Sequence, residues 1–205
     1  MNSFIGWVGG KRLLRNKIVD CFPDENSYTR YVEVFGGAGW VLFAKDKHAS
    51  HEVFNDINSN LINLYRCVKY HYGELQRQLD NLIISREIFE DFKIQMEYCS
   101  LTDIQKAARY LYLLKTSFGS KGKTFSVLRD MSLDNTTEYL EKIHERLKKV
   151  TIENRDFEKI IKQYDREETL FYLDPPYLGS ERQYDIAFSL EDHNRLFKTL
   201  KNMRV

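Results

Sequence analysis

Apolar residues fall along this chain in two alternating rhythms. Some form short continuous runs cut off by glycine, proline or an acid, and others recur every third or fourth position. The short runs predict strands. Tyr31-Val32-Glu33-Val34-Phe35 is β-branched and aromatic, and it stops at Gly36-Gly37-Ala38-Gly39. Residues 51–54 predict a second strand, ended by Asn55-Asp56, and residues 150–153 a third. Leu170-Phe171-Tyr172-Leu173 predicts a buried fourth, ended by Asp174 and two prolines that forbid helix and ladder alike. Helical spacing predicts helices over 13–22, 40–47, 140–147, 157–163 and 190–203; the last opens with the capping pair Ser189 and Asp192. From 58 to 115 the pattern is helical and unbroken by proline. Leu61, Leu64, Tyr65 and Val68 share one face there, as do Ile88, Phe89 and Phe92, and Ala107, Leu111 and Leu114. Residues 115–129, with Gly119 and Gly122, read as a loop.

Strands alternating with helices predict an α/β fold, a parallel sheet with helices on its faces. The stretch 58–149 is too long for one crossover and reads as an inserted helical subdomain, leaving 1–57 and 150–205 as the core. At 205 residues and 42% hydrophobic, with 13 Phe and 13 Tyr, the chain can bury such a core. Lys plus Arg number 31 and Asp plus Glu 30, a net charge of +1, so only local charge can speak for a polyanionic partner. Cys21, Cys67 and Cys99 are sparse, odd in number and without a Cys-x-x-Cys, which argues for a reducing compartment and no metal site. No stretch approaches the ~20 apolar residues of a membrane span, and the expectation is a cytoplasmic protein without a membrane partner.

In a parallel sheet, ligands sit beyond the carboxyl ends of the strands. The most informative motif lies there: Asp174-Pro175-Pro176-Tyr177. It fixes a carboxylate, a rigid carbonyl and an exposed ring at one strand end. The two oxygens can each accept a hydrogen from an exocyclic amine, and the ring can stack on the heterocycle that bears it. Phe35 and the glycines behind it, with a helix start expected to follow, suit close approach to a ligand. Asp56, about twenty residues beyond, suits a ribose hydroxyl pair. These two features favour a nucleoside-bearing ligand without choosing a dinucleotide over another nucleoside. Asn154-Arg155-Asp156-Phe157 follows a strand and reads equally as an adenine acceptor or as a helix N-cap. In Ile5-Gly6-Trp7-Val8-Gly9-Gly10-Lys11, Lys11 at a helix start opposes the helix dipole, which makes sense if it meets a carboxylate. Lys115, Lys121, Lys123 and Arg129 fall in a stretch free of acids, with hydroxyls at Thr116, Ser117, Ser120 and Thr124. That composition suits either phosphate contact or a solvated basic loop.

Taken together and in this order, Trp7-Val8-Gly9-Gly10-Lys11, Phe35-Gly36-Gly37-Ala38-Gly39, Asn55-Asp56-Ile57-Asn58 and Asp174-Pro175-Pro176-Tyr177 resemble the Dam-type DNA adenine-N6 methyltransferases. The resemblance implies a Rossmann-like methyltransferase sheet using S-adenosylmethionine. It implies that Trp7 and Lys11 contact the methionine part of the cofactor and that Phe35, Gly37 and Gly39 shape its pocket. Asp56 would hold the ribose, Asp156 and Phe157 would receive the adenine, and Asp174 would lie between cofactor and substrate. Asp174, Pro175 and Tyr177 would be catalytic, acting on an adenine flipped out of double-stranded DNA. The insertion would recognise the target, with Lys115, Lys121, Lys123 and Arg129 on DNA, and a restriction endonuclease could be a partner.

A sheet of this family continues past the helix that follows Asp-Pro-Pro-Tyr, whereas this sequence stops at Val205. The expectation is therefore a sheet lacking its C-terminal third, with an exposed edge. Rival readings are a methyltransferase acting on RNA or on protein glutamine, a cytosine-N4 enzyme, and a non-catalytic remnant that binds DNA or a partner. A nicotinamide-dependent dehydrogenase leaves Asp-Pro-Pro-Tyr unexplained.

Overall fold

A computed structural model describes residues 1–98, 100–126, 134–179 and 188–204, with the backbone alone over 134–138. The chain divides into two compact units, one of Met1–Asn2, Gly9–Ser59 and Lys149–Val205, the other of Ser3–Val8 and Asn60–Lys148. Ser3–Val8, placed with the core by the sequence reading, thus groups with the helical unit.

The first unit is built on four strands, β1 (Arg30–Glu33), β2 (His51–Asn55), β3 (Val150–Glu153) and β4 (Thr169–Tyr172), in the order β3-β2-β1-β4. All pairings are parallel, with Val32 opposite both Val53 and Phe171, and Val53 opposite Thr151. This is the α/β architecture expected of a Rossmann-like methyltransferase sheet. Parallel strands are covered on both faces, which explains why Tyr31, Val32 and Glu33 are all buried. One face packs Val32, Val34 and Val53 against Phe157, Ile160 and Ile161 of α7 (Phe157–Tyr164) and Leu196 of α8 (Leu190–Lys201). On β1 and the chain before β2, a buried polar cluster forms: Tyr31 donates to Glu33 Oε2 at 2.7 Å and stacks on His48 at 4.3 Å. The His48 N–H donates to Glu52 Oε1 at 2.9 Å.

The helix expected over 40–47 does not form. One short 3-10 turn, Leu42–Ala44, stands in its place. Val41, Leu42 and Phe43 are buried in succession, a pattern a one-sided helix cannot satisfy. The short helix α1 (Arg15–Asp20) is held from both sides: Arg15 donates to Met1 O and Asn2 Oδ1, and its guanidinium lies 5.4 Å from the Trp40 ring centre. At the other end of the chain, α8 begins with the capping box read from Ser189 and Asp192. Strand β4 lies at one side of the sheet. Leu170, Phe171 and Tyr172 are half-buried, and among the described residues no strand pairs beyond them.

The second unit contains α2 (Ser59–Tyr70, whose first residue belongs to the core unit), α3 (Tyr72–Asp80), α4 (Arg86–Tyr98), α5 (Asp103–Lys115) and α6 (Asp134–Leu147). Leu61, Leu64, Tyr65 and Val68 are buried on α2, and Ala107, Leu111 and Leu114 on α5. Phe4 and Ile5 fill the same interior, with Phe4 edge-on to Tyr65 at 5.2 Å. Thr102 and Gln105 cap α5 reciprocally. No helix among the described residues is long and apolar enough to cross a membrane.

Candidate active site at the strand ends

Because all four strands run the same way, their carboxyl ends gather on one edge of the sheet. Asn55, almost fully buried, stitches that edge together. Its Nδ2 donates to Val34 O at 2.9 Å and Arg155 O at 3.0 Å, and its Oδ1 accepts from Arg155 N at 2.9 Å. The glycine loop after β1 is folded back on this edge. Gly36 N donates to Asn55 O at 2.8 Å, and Gly37 and Gly39 take left-handed backbone angles, φ +50° and +66°. With a 3-10 turn behind it rather than an α-helix, this loop brings no helix dipole to a ligand.

Asp56 closes the loop from β2. Its Oδ2 accepts from Gly37 N and its Oδ1 from Asn58 N, both at 2.8 Å. Burial pushes its carboxyl above the ordinary aspartate range, against the backbone N–H groups of Asn58, Gly37 and Ile57 that pull it down. Each oxygen keeps lone-pair capacity, so Asp56 can still accept hydroxyl hydrogens in a fixed orientation.

After β3, Asp156 caps α7 by accepting from Glu158 N at 3.0 Å, and Arg195 of α8 binds both its oxygens at 3.1 and 3.2 Å. Of the two readings of Asp156, the cap is realised, and its carboxylate is already engaged. Phe35, Phe157 and Phe188 form an aromatic group with centres 5.5–5.9 Å apart, and the Arg195 guanidinium lies 4.8 Å from the Phe157 ring centre.

After β4, Asp174, Pro175 and Pro176 are half-buried and Tyr177 is 57% exposed. Asp174 Oδ2 lies 2.5 Å from Lys11 Nζ, and Oδ1 has no partner among the described residues. Behind it the Tyr172 phenol is pushed well above its ordinary value by burial, then by the negative charges of Asp174 and Glu33. The set fits a nucleoside: a fixed carboxylate at Asp56 to accept from hydroxyls and aromatic rings at Phe35 and Phe157 for a base.

The core unit therefore gathers Lys11, Phe35, Gly37, Gly39, Asp56, Asp156, Phe157, Asp174, Pro175 and Tyr177. Trp7, half-buried, lies in the segment that groups with the helical unit. Asn55, Glu33 and Arg195 were given no role by sequence reasoning. An acid inside an apolar strand was the available signal for Glu33; nothing local marked Arg195.

In the helical unit the basic loop is a tight turn. Ser117 bridges Phe125, Phe118 N donates to Thr124 O at 2.9 Å, and Gly119, Ser120 and Gly122 have positive φ. Lys121 and Lys123 are exposed, and Phe118 beside them is 73% exposed. Lys115 is half-buried and burial lowers its pKa, so it is not part of the exposed basic surface. Thr116 and Ser117, expected as phosphate donors, are buried and spend their hydroxyls on Tyr112 O and Leu114 O. Arg129 lies outside the described residues.

The chain is similar to known methyltransferases. The "Type II methyltransferase M1.LlaDCHI" of Lactococcus lactis subsp. cremoris is 26% identical over an alignment of 231 positions, covering 99% of this chain and 77% of the relative. The "Type II methyltransferase M.CviBI" of Paramecium bursaria Chlorella virus NC1A is 26% identical over 218, covering 98% and 80%. The "DNA adenine methylase" of Escherichia coli (strain K12) is 31% identical over 115, covering 54% and 39%. A family model matches residues 7–205, nearly the whole length, and the chain belongs to the D12 class N6 adenine-specific DNA methyltransferases.

Proposed function

We propose that this protein transfers a methyl group from S-adenosylmethionine to N6 of an adenine turned out of double-stranded DNA. The observation that carries the reading is Asp174, a carboxylate at a strand end with one oxygen open, followed by Pro175 and an exposed Tyr177 ring. Bound S-adenosylmethionine would supply an electrophilic methyl group. Asp56 would hold its ribose, the glycine loop would let it approach, and Phe35 and Phe157 would flank its base. Asp156, with its carboxylate engaged by Arg195, would contribute mainly by fixing Phe157 in place.

Asp174 Oδ1 and the Pro175 carbonyl would accept the two N6 hydrogens, turning the nitrogen lone pair away from the ring. A base in duplex DNA cannot reach such a strand end while stacked, so it must swing out. Tyr177 would then stack on it, a contact worth ~1–3 kcal/mol. The N6–C bond would form as the S–C bond breaks, with its electron pair staying on sulfur, and one N6 proton would pass to water by way of Asp174 Oδ1. No covalent bond to the protein is needed, and proximity and orientation supply much of the rate.

DNA contact would come from Lys121 and Lys123, with the exposed Phe118 ring as a further apolar contact. Since two relatives carry type II names, the proposal extends to a restriction endonuclease of matching sequence specificity as a partner. The test is methylation of genomic DNA with labelled S-adenosylmethionine, digestion to nucleosides and mass analysis. N6-methyladenine is the expected product; methylcytosine alone, or label only in RNA or protein, would refute the reading.

A further inference from the structure

Lys11 meets a carboxylate, as its place at a helix start suggested, and that carboxylate is Asp174, distant in sequence. The ammonium is a three-way hub. It donates to Gly9 O at 2.9 Å, lies 2.5 Å from Asp174 Oδ2, and stands 5.3 Å from the Tyr177 ring centre. An ammonium has three donors, and Gly9 O and Asp174 Oδ2 engage two of them. The pair is well sheltered, with side chains 16% and 22% exposed. Burial pulls the Lys11 pKa down, but Asp174 and then Tyr177 more than offset it, and the net direction is upward. The hub is anchored from behind: Leu14 N and Arg15 N donate to Lys11 O, and Arg12 and Arg15 both face the Trp40 ring.

We propose that Lys11 is a positioning residue for methyl transfer, setting the spacing between the Asp174 acceptor and the Tyr177 stacking ring. It holds Asp174 by Oδ2 and leaves Oδ1 for the amine. This rests on the adenine-methyltransferase reading above, and it assigns Lys11 to the substrate side rather than to the methionine part of the cofactor. Two effects oppose each other. The ammonium removes negative charge that would favour a developing positive N6, which slows transfer. It also stops the carboxylate from rotating and the ring from swinging, which speeds transfer. Because a displacement of ~1 Å can cost about a hundredfold in rate, and pairing with the ammonium offsets only part of the carboxylate charge, orientation outweighs what is lost.

The test uses the full chain and its Lys11→Met, Lys11→Arg and Asp174→Asn variants. Cofactor affinity is measured by calorimetry and transfer by single-turnover methylation of DNA. The Lys11 pKa is followed by NMR of 13Cε-labelled lysine. The expected result for Lys11→Met is a single-turnover rate lower by ~30–100-fold with cofactor affinity unchanged. Lys11→Arg should recover much of that rate, and Asp174→Asn should bring the Lys11 pKa down. A Lys11→Met rate equal to or above the parent's overturns the proposal. So does a loss of cofactor affinity that accounts for the lost rate, which would make Lys11 a cofactor ligand. If the parent methylates no DNA, the functional reading fails, and the NMR comparison still decides the hub: a Lys11 pKa unmoved by Asp174→Asn overturns it. Should Lys11→Met fail to fold, Lys11→Arg and the titration carry the test.

Discussion

Replacing Gly36 by alanine separates two reasons for a glycine-rich loop. A Cβ at Gly36 would stand 2.3 Å from Phe54 Cζ, 2.4 Å from Phe54 Cε2 and 2.9 Å from the Asn55 carbonyl oxygen. Carbon atoms settle at ~3.5–4.0 Å, so something must give by more than an ångström. Phe54 is fully buried on β2, a strand paired on both sides, and the carbonyl receives the Gly36 N–H. Neither can retreat without disturbing the ladder. Overpacking costs ~1–3 kcal/mol, occasionally more, and Gly36→Ala belongs at the upper end. Against a total stability of ~5–15 kcal/mol, that is a large share. Gly37→Ala is the control. Its φ of +50° makes alanine strained by ~1–2 kcal/mol. Urea unfolding followed by circular dichroism gives both values, and at this chain length a loss of 3 kcal/mol lowers the melting temperature by ~6–12 °C. If Gly36→Ala lay within ~0.5 kcal/mol of the parent, or cost less than Gly37→Ala, then Gly36 would not be set by its packing against β2.

Other substitutions probe the chemistry. Asp56→Ala is expected to weaken S-adenosylmethionine binding ten- to a hundredfold, since hydrogen bonds to a charged group contribute ~1.5–3 kcal/mol; unchanged calorimetric affinity removes Asp56 from the cofactor site. Asp174→Asn keeps an acceptor but loses the charge, and turnover should fall by about two powers of ten, ~2.7 kcal/mol of barrier, while Asp174→Ala should nearly abolish it; near-parental methylation by Asp174→Ala would falsify the catalytic assignment. Lys121→Ala with Lys123→Ala should weaken DNA binding and flatten its dependence on salt with cofactor binding intact, so an unaltered slope excludes the loop from phosphate. Asp192 is held below its ordinary 3.8, first by the Ser189 N–H, then by the Ser189 hydroxyl and Arg195, despite some desolvation. A depressed folded-state pKa means stability present above 3.8 and lost as pH falls through the lower folded value. Asp192→Asn should therefore cost stability at neutral pH, and melting curves of parent and variant should converge in acid.

The strands were legible because each is a brief apolar run bounded by residues that cannot extend it. β3 keeps the bounds read for it, and Asp174 with its prolines ends the run that contains β4. α8 was legible from its cap. Failures came where tertiary burial overrode local pattern. Residues 40–47 look helical, yet Val41, Leu42 and Phe43 are all wanted inside at once. Thr116 and Ser117 look like surface hydroxyls, yet both are buried. At the site, sequence reading could see that Lys11 wanted an acid but not which one, and it gave no hint of Arg195 on Asp156, because both partnerships join distant segments. Ser3–Val8 was assigned by its place in the chain rather than by what Phe4 and Ile5 pack against.

The interrupted sheet also dictates an order of assembly. β1 and β2 are synthesised early, but the partners that complete them come much later. Asn154 returns to Asp56 across 98 residues, and Thr29 bonds Glu168 across 139. Loop closure over such lengths is costly before any pairing repays it. Once the intervening helices have collapsed around their local contacts, the span to be closed is effectively far shorter. The insertion should thus act as a scaffold in time, folding first and delivering β3 and β4 to waiting neighbours. Pulse-labelled hydrogen exchange during refolding should find amides of α2 and α5 protected before those of β1. Simultaneous protection would mean that the two units fold as one.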